Sequence, residues 1–190
     1  MRIDFDPISV YLAPINRVEG QSKREAERQT IQAILDEAVP GHAALTHDPD
    51  GRPLIEGASI SVSHSANWGA VAIAPENINI GIDIEENRKQ ASRVLGRVLR
   101  GPHTHAYLND SMALAAWTLL EAAFKCAKPN HGLALVDFIL PSPHCGLDGK
   151  EIQMAGQPHR RFEILSSQSL GAGLPHLSIV AEKSVLGAVS

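Results

Sequence analysis

Four side chains in two short segments have the types and spacing that phosphate-transfer chemistry needs. Residues 78–85 alternate apolar and polar, which predicts a half-buried strand with isoleucines on one face and Asp83 and Glu85 on the other. These two carboxylates would lie within roughly 7 Å of each other and repel unless a hard cation such as Mg²⁺ lay between them. Glu121 and Lys125 share one face of a predicted helix at i, i+4. A third carboxylate beside a cation suits chemistry on a metal-bound polyphosphate.

The same four residues also fit a purely structural interpretation. Asp83 and Glu85 would then form the solvent face of a strand, although acidic residues are poor strand formers. Glu121 and Lys125 would be an ordinary surface ion pair, worth about 0.2–0.5 kcal/mol. The sequence pattern alone leaves both interpretations open.

Two further positions are candidate phosphate contacts. His64 follows a predicted strand directly and lies between Ser63 and Ser65. It fits either a hydrogen-bonded turn residue or, with the neighbouring hydroxyls, a donor to phosphate oxygens. Arg52 belongs to the turn of residues 50–53, where it is either solvated or an exposed cation held on a rigid loop.

Residues 88–100 carry five cations and no acid, in a protein of net charge −4. Four of the cations fall on one face of a predicted helix over residues 91–100 and its preceding turn: Lys89, Arg93, Arg97 and Arg100. This stripe is either a solvated helix face or a docking surface for an acidic macromolecule, because solvated faces normally mix both signs.

Composition and missing motifs exclude several classes of function. The net charge of −4 argues against bulk nucleic-acid binding. The two cysteines, Cys126 and Cys145, form no CxxC pair, so we expect neither a structural zinc site nor a disulfide framework. The sequence has no GxxxxGK[ST], GxGxxG, HExxH or GxSxG motif, which removes the usual support for P-loop, dinucleotide-binding, zinc-protease and serine-hydrolase activities.

The composition of the sequence predicts a soluble cytoplasmic protein. Its 190 residues suit one domain, or two small halves of one, and a hydrophobic fraction of 44% is that of an ordinary globular protein. The first residues are acidic where a signal peptide needs an apolar core. The longest apolar stretch, residues 112–120, is too short to span a bilayer.

The order of the predicted elements favours an α+β fold built from a repeated helix-then-strands unit. Ser22 and Glu25 form a capping box for the first helix, and Asp110 or Ser111 is expected to cap the last one. Asp148-Gly149 predicts a hairpin turn. The predicted helices cover residues 22–38, 91–100 and 111–126, and the predicted strands cover residues 59–63, 68–74, 78–85, 136–140, 161–165 and 176–181.

Three motifs, in their order and spacing, resemble those of the monomeric, Sfp-like 4′-phosphopantetheinyl transferases. They are Ser61-Val62-Ser63-His64-Ser65, Gly81-Ile82-Asp83-Ile84-Glu85 and Trp117-x-x-Leu120-Glu121-Ala122-x-x-Lys125. The resemblance covers roughly residues 22–128 and includes the Gly51-Arg52-Pro53 turn and the basic first helix. It implies a monomer of two similar α/β halves, residues 1–79 and 80–190, related by pseudo-twofold symmetry in one compact unit without a flexible linker. The active site would lie at their interface.

The resemblance also implies a reaction and its residues. Asp83, Glu85 and Glu121 would hold Mg²⁺, or Mn²⁺ in its place, against the pyrophosphate of coenzyme A, the co-substrate. A serine of an acyl or peptidyl carrier protein would attack the β-phosphate, Glu121 would take its proton, and 3′,5′-ADP would leave. Because carrier domains are acidic, the cation stripe would be their docking surface. The phosphates would be bound by Ser63, His64, Arg52 and Lys125, with Arg24 or Arg28 near the 3′-phosphate.

One departure from the family pattern raises an alternative. The family usually has Lys-Glu where this chain has Leu120-Glu121, so a charge expected next to the metal site is missing. A catalytically impaired relative, which binds coenzyme A or a carrier without turnover, is therefore the second hypothesis. A third, independent of the resemblance, is a Mg²⁺-dependent phosphohydrolase acting on a small nucleotide.

Overall fold

The protein is a mixed α+β structure with two separate antiparallel sheets, which confirms the predicted fold class at this level. The computed structural model describes residues 1–42, 45–49, 51–86, 91–129 and 132–183, without the side chains of residues 91, 92, 110 and 111. Among these residues, no helix combines the length and the apolar character that a membrane crossing requires. The pseudo-twofold relation between two halves stays a prediction.

The first sheet has four strands in the order β1-β2-β6-β5 and carries one helix on its outer face. Helix α1 begins where predicted, because the Ser22 side chain accepts a hydrogen bond from the Glu25 backbone N–H at 3.2 Å. It packs on the sheet through Ile31, Ile34 and Leu35. The elements are β1 (Arg2–Phe5), β2 (Ile8–Pro14), α1 (Lys23–Ala38), the short pair β3 (Thr46–His47) and β4 (Pro53–Leu54), β5 (Ala58–His64) and β6 (Trp68–Pro75).

The second sheet has five strands in the order β7-β11-β10-β9-β8, and the long helix α4 packs across it. All of its strands come from the sequence after residue 79, whereas the first sheet uses only residues 2–75. The elements are β7 (Ile80–Glu85), α2 (Ala91–Val98), α3 (Thr104–Tyr107), α4 (Asp110–Cys126), β8 (Phe138–Ile139), β9 (Glu151–Met154), β10 (Arg161–Ser169) and β11 (His176–Glu182).

Several predicted details of these elements are wrong. The side chain that caps α4 belongs to Asn109, not to Asp110 or Ser111, and accepts a hydrogen bond from the Met112 N–H at 2.9 Å. The Asp148-Gly149 pair does not join two strands directly, because β9 begins only at Glu151. The Asp148 carboxylate instead accepts a hydrogen bond from the Ser167 N–H at 2.9 Å. Strands β1 and β2 were not predicted.

Strand β7 is buried on both faces, which corrects the prediction of a half-buried strand. Its isoleucines pack between the two sheets, while its other face lies under α4. Gly81 permits this approach: a Cβ at this position would lie 1.9 Å from the Ala122 carbonyl oxygen. As a result Asp83, expected on a solvent face, is only 6% exposed.

The two sheets meet where the edge strands β5 and β7 run side by side. Serine side chains rather than a backbone ladder join these edges. Ser61 Oγ accepts a hydrogen bond from the Ile82 N–H at 3.1 Å, and Ser63 Oγ accepts one from the Ile84 N–H at 3.3 Å. The alternating serines of β5 therefore satisfy backbone donors that an uncovered edge of β7 would leave unpaired. We call this junction the seam.

Candidate functional site

A buried polar cluster of Ser63, Asp83 and Lys125 lies at the seam. Lys125 Nζ lies 2.7 Å from Asp83 Oδ1, and Ser63 Oγ donates a hydrogen bond to the same carboxylate oxygen at 2.8 Å. The cluster joins three elements, since Ser63 is on β5, Asp83 on β7 and Lys125 on α4. The three sequence motifs therefore contact one another through these side chains.

The ammonium group of Lys125 is fully occupied in this arrangement. An ammonium has three N–H donors, and Lys125 directs them to Asp83 Oδ1, to the Ile82 carbonyl oxygen at 3.1 Å and to Ser63 Oγ at 3.2 Å. The Asp83 side chain is 9% exposed and that of Lys125 29% exposed. To bind a phosphate, Lys125 must exchange at least one of these three partners.

The predicted metal ligands do not form a metal site in the described structure. Glu85 ends β7 and Glu121 lies one turn before Lys125 on α4, and both are half-buried. Among the described residues, however, no three His, Cys, Asp or Glu side chains are grouped to hold a metal ion. Asp83 has the Lys125 ammonium as its cationic partner, so a Mg²⁺ ion at this carboxylate would have to displace that ammonium, and the metal requirement stays a prediction.

A cationic pocket of about 230 Å³ opens beside the cluster. Arg52, Lys125 and Lys128 supply its charges, while Ser61 and Phe124 line its wall. Burial lowers the pKa of Lys128 below its usual value, and the positive charge of Arg52 lowers it further. Three cations in one small recess repel one another, and an anion bound there would relieve that repulsion.

The turn before β4 holds Arg52 in this pocket. Gly51 has a φ of +79°, a conformation that suits glycine, and this residue turns the chain so that the Arg52 N–H donates to Asp48 Oδ1 at 2.9 Å. The Arg52 guanidinium donates a hydrogen bond to the Ala127 carbonyl oxygen at the end of α4. The structure thus brings Arg52 and Lys125, two of the residues predicted to bind phosphate, into one pocket, and that role stays a prediction.

His64 lies on the other side of β5 from the cluster and faces α1. Its Nδ1 atom lies 3.3 Å from Glu27 Oε1, and Lys23 Nζ lies 3.4 Å from the same oxygen. Both are ion-pair distances without hydrogen-bond alignment. Glu27 was not predicted as a partner of His64, and its neighbours Arg24 and Arg28 are exposed on α1.

Glu86 braces the turn that follows His64. Its carboxylate accepts hydrogen bonds from the Asn67 N–H at 2.7 Å, from Asn67 Nδ2 at 2.8 Å and from Ser65 Oγ at 2.9 Å. Burial by itself would raise the pKa of Glu86, but these hydrogen bonds, those from Asn67 foremost, bring the pKa below its usual value. Glu86 therefore ties the β5–β6 turn to the end of β7.

The cation stripe is described only in part. Arg93 and Arg97 are exposed on α2, and Arg100 is exposed just beyond the end of that helix at Val98. Lys89 lies outside the described residues. On the other side of this segment, Leu95 and Leu99 are buried in the C-terminal core.

No protein-family model matches the chain, and no curated protein matches it.

The sequence motifs do not include one pocket residue, Lys128, and the structure also shows where the side chain of Leu120 lies. Lys128, three residues after Lys125, lies outside the motif and just beyond the end of α4. Leu120 is fully buried among apolar side chains of the C-terminal core. The side chain at position 120 therefore faces that core and not the Ser63–Asp83–Lys125 cluster, which weakens the argument for lost activity.

Proposed function

We propose that this protein transfers the 4′-phosphopantetheine group of coenzyme A to a serine of an acyl or peptidyl carrier protein. One observation carries the proposal: a pocket with three cations lies beside a buried Ser63–Asp83–Lys125 cluster at the junction of two sheets. Lys125 belongs to both features, so a bound polyphosphate would lie against the cluster. The motif resemblance adds the identity of the substrates.

The pocket suits the diphosphate part of coenzyme A. A pyrophosphate offers several anionic oxygens, and Arg52 with Lys125 and Lys128 would supply charge-assisted hydrogen bonds to them. At about 230 Å³ the pocket is smaller than the roughly 300–1,000 Å³ of pockets for drug-sized ligands. It would therefore hold the phosphates and leave the adenine and pantetheine ends on the surrounding surface, with Phe124 as an apolar contact.

The proposed reaction is a single phosphoryl-type transfer. The carrier serine Oγ forms a bond to the β-phosphorus, and the bond from that phosphorus to the bridging oxygen breaks, so that 3′,5′-ADP leaves with the bridging oxygen. Glu121, half-buried one turn before Lys125, takes the serine proton directly or through a water. Lys125 and Arg52 balance the charge of the departing phosphate. Mg²⁺ dependence is part of the proposal, but no step is assigned to the ion.

The proposed protein partner is an acidic carrier domain. The exposed side chains of Arg93, Arg97 and Arg100 give a positive surface in a protein of net negative charge. Such a surface would steer an acidic partner and raise its association rate at low salt.

The experiment is to incubate the protein with coenzyme A, Mg²⁺ and a panel of apo carrier proteins, and to measure each carrier by mass spectrometry. We expect one carrier class to gain the mass of one phosphopantetheine group. Glu121→Gln should abolish the gain, and a carrier whose acceptor serine is replaced by alanine should not gain mass. If no carrier in the panel gains mass, the proposal is rejected.

A binding protein without turnover is the second candidate. The observation in its favour is that Asp83, one of the predicted metal ligands, is paired with the Lys125 ammonium at 2.7 Å. This candidate predicts that coenzyme A raises the melting temperature of the protein while no carrier gains mass. A mass gain on any carrier would exclude it.

A further inference from the structure

The carboxyl end of α4 receives an arginine from each side of the seam. Arg52, from the turn before β4, donates to the Ala127 carbonyl oxygen. Arg160, which directly precedes β10, donates from Nη2 to the next carbonyl oxygen, that of Lys128, at 3.1 Å. Carbonyls at a helix end lack helical partners and carry partial negative charge, so guanidinium groups stabilise them.

Arg160 is itself held rigidly. Its Nε atom lies 2.6 Å from Glu182 Oε1, in an ion pair whose side chains are only 12% and 14% exposed. Its Cζ atom lies 5.4 Å from the centre of the Phe162 ring. Asn79 Nδ2 donates to the other Glu182 oxygen at 2.9 Å, which fixes the carboxylate as well. The hydrogen bond to Lys128 is therefore made by a guanidinium with little freedom to move.

From these contacts we infer that Arg160 is a positioning residue of the cationic pocket. It holds the main chain of Lys128, and thereby the place from which the Lys128 ammonium reaches into the pocket. The inference rests on the proposed function only through the anion-binding role of that pocket. Neither the sequence motifs nor the pocket lining includes Arg160, which acts from the far side of the α4 terminus.

Loss of the Arg160 hydrogen bond to Lys128 should weaken anion binding, because binding in the pocket depends on where its cations lie. Lys128 follows the last turn of α4, so the helix hydrogen bonds do not hold its carbonyl group. A small shift of this main chain is carried to the end of a long side chain, where the contact with an anion is made. Losses in binding then come from a misplaced charge, although every pocket residue is still present.

The test is pyrophosphate binding measured by isothermal titration calorimetry. Arg160→Lys keeps a positive charge beside Glu182 and so protects the fold, but a lysine lacks the planar fork that contacts Glu182 and Lys128 together. Arg161→Lys is the matched control, because Arg161 is the next residue and its guanidinium pairs with Glu151 at 3.0 Å on the exposed surface. We expect Arg160→Lys to weaken binding roughly threefold to tenfold, and Arg161→Lys to bind as the wild type does.

A double-mutant cycle with Lys128→Ala decides the mechanism. If Arg160 acts through Lys128, Arg160→Lys should have no further effect in the Lys128→Ala background. An equal loss in both backgrounds, or wild-type binding by Arg160→Lys, would overturn the inference and leave the pocket intact. If the wild type itself does not bind pyrophosphate, the anion pocket and the inference both fall, whereas the carrier mass measurement still tests the transferase separately.

Discussion

Lys125 Nζ lies 2.7 Å from Asp83 Oδ1 and supplies the cation that the motif pattern assigns to a metal. Two acidic residues on one strand face suggested that a cation must accompany them, and the structure meets that electrostatic requirement from within the chain. A divalent ion at Asp83 would have to displace the ammonium, which would then be free to contact a phosphate. The ion pair and the metal site are thus alternatives at the same carboxylate.

Replacing Lys125 with methionine should therefore strengthen divalent-metal binding. We expect Lys125→Met to bind Mn²⁺ at least about tenfold more tightly than the wild type, because about 1.4 kcal/mol of competition is removed. Electron paramagnetic resonance of free Mn²⁺ measures this directly, without any activity. Lys125→Arg retains the competing charge and serves as the control. Equal Mn²⁺ affinities in all three proteins would mean that Asp83 is not a metal ligand.

Ser63 should contribute more to stability than any other serine of its row on β5. Its hydroxyl accepts from the Ile84 N–H and donates to Asp83, so Ser63→Ala leaves a buried donor and a buried carboxylate without this partner. We expect a loss of about 2–3 kcal/mol in the free energy of unfolding by urea titration.

Ser59 on the same strand provides the matched control. It is also buried, but its Oγ has no hydrogen-bond partner among the described residues. Ser59→Ala should therefore change the free energy of unfolding by less than about 0.5 kcal/mol or increase it. Equal losses in Ser59→Ala and Ser63→Ala would contradict the bridging role of Ser63.

Gly81 should tolerate no side chain. An added Cβ would lie 1.9 Å from the Ala122 carbonyl oxygen and 2.7 Å from the Cys126 nitrogen, so β7 and α4 would have to separate. We expect Gly81→Ala to cost more than about 3 kcal/mol in thermal or urea unfolding. A Cβ added to Gly96 in α2 would meet no described neighbour within 4 Å, so Gly96→Ala should stabilise by about 0.5–1 kcal/mol. A mild effect of Gly81→Ala would show that the two elements are less tightly packed.

Local sequence patterns predicted the positions of helices and strands better than they predicted which of their faces are buried. The period of two over residues 78–85 placed β7 correctly, and the Ser22 cap placed the start of α1. The burial of Asp83 could not be read from that period, because it depends on α4, which comes later in the chain and packs on the face expected to be exposed. Gly81 was the available signal for such a close approach.

The residues of the candidate site could likewise be predicted from local motifs, whereas their contacts could not. The motifs contain Ser63, Asp83 and Lys125, but the ion pair between Asp83 and Lys125 is a property of their three-dimensional arrangement. Arg160 acts on the site through a hydrogen bond to the Lys128 main-chain carbonyl, and such a contact has no sequence pattern of its own. Strands β1 and β2 are a different case, since the alternating apolar residues of Ile8–Pro14 are an ordinary strand signal.

Glu86 should make stability depend on pH in the acidic range. Hydrogen bonds from Asn67 and Ser65 outweigh the effect of burial and lower its pKa in the folded protein below the usual value near 4.5. Because the pKa of Glu86 is lower in the folded than in the unfolded protein, its carboxylate contributes its full stabilisation above the pKa of the unfolded state. That stabilisation is lost as the pH falls through the pKa of the folded state. Glu86→Gln should therefore be less stable than the wild type by roughly 1 kcal/mol at neutral pH. The difference should shrink once the pH drops below about 4.5.

Urea unfolding from neutral to acidic pH measures this difference, with Glu76→Gln as the control. Glu76 is exposed in the turn between β6 and β7, so its substitution should change the free energy of unfolding by less than about 0.5 kcal/mol at every pH. A difference between wild type and Glu86→Gln that stays constant with pH would mean that the Glu86 charge is not what stabilises the turn. A difference that follows the expected pH profile would show that the ionised form of Glu86 stabilises the turn that follows His64.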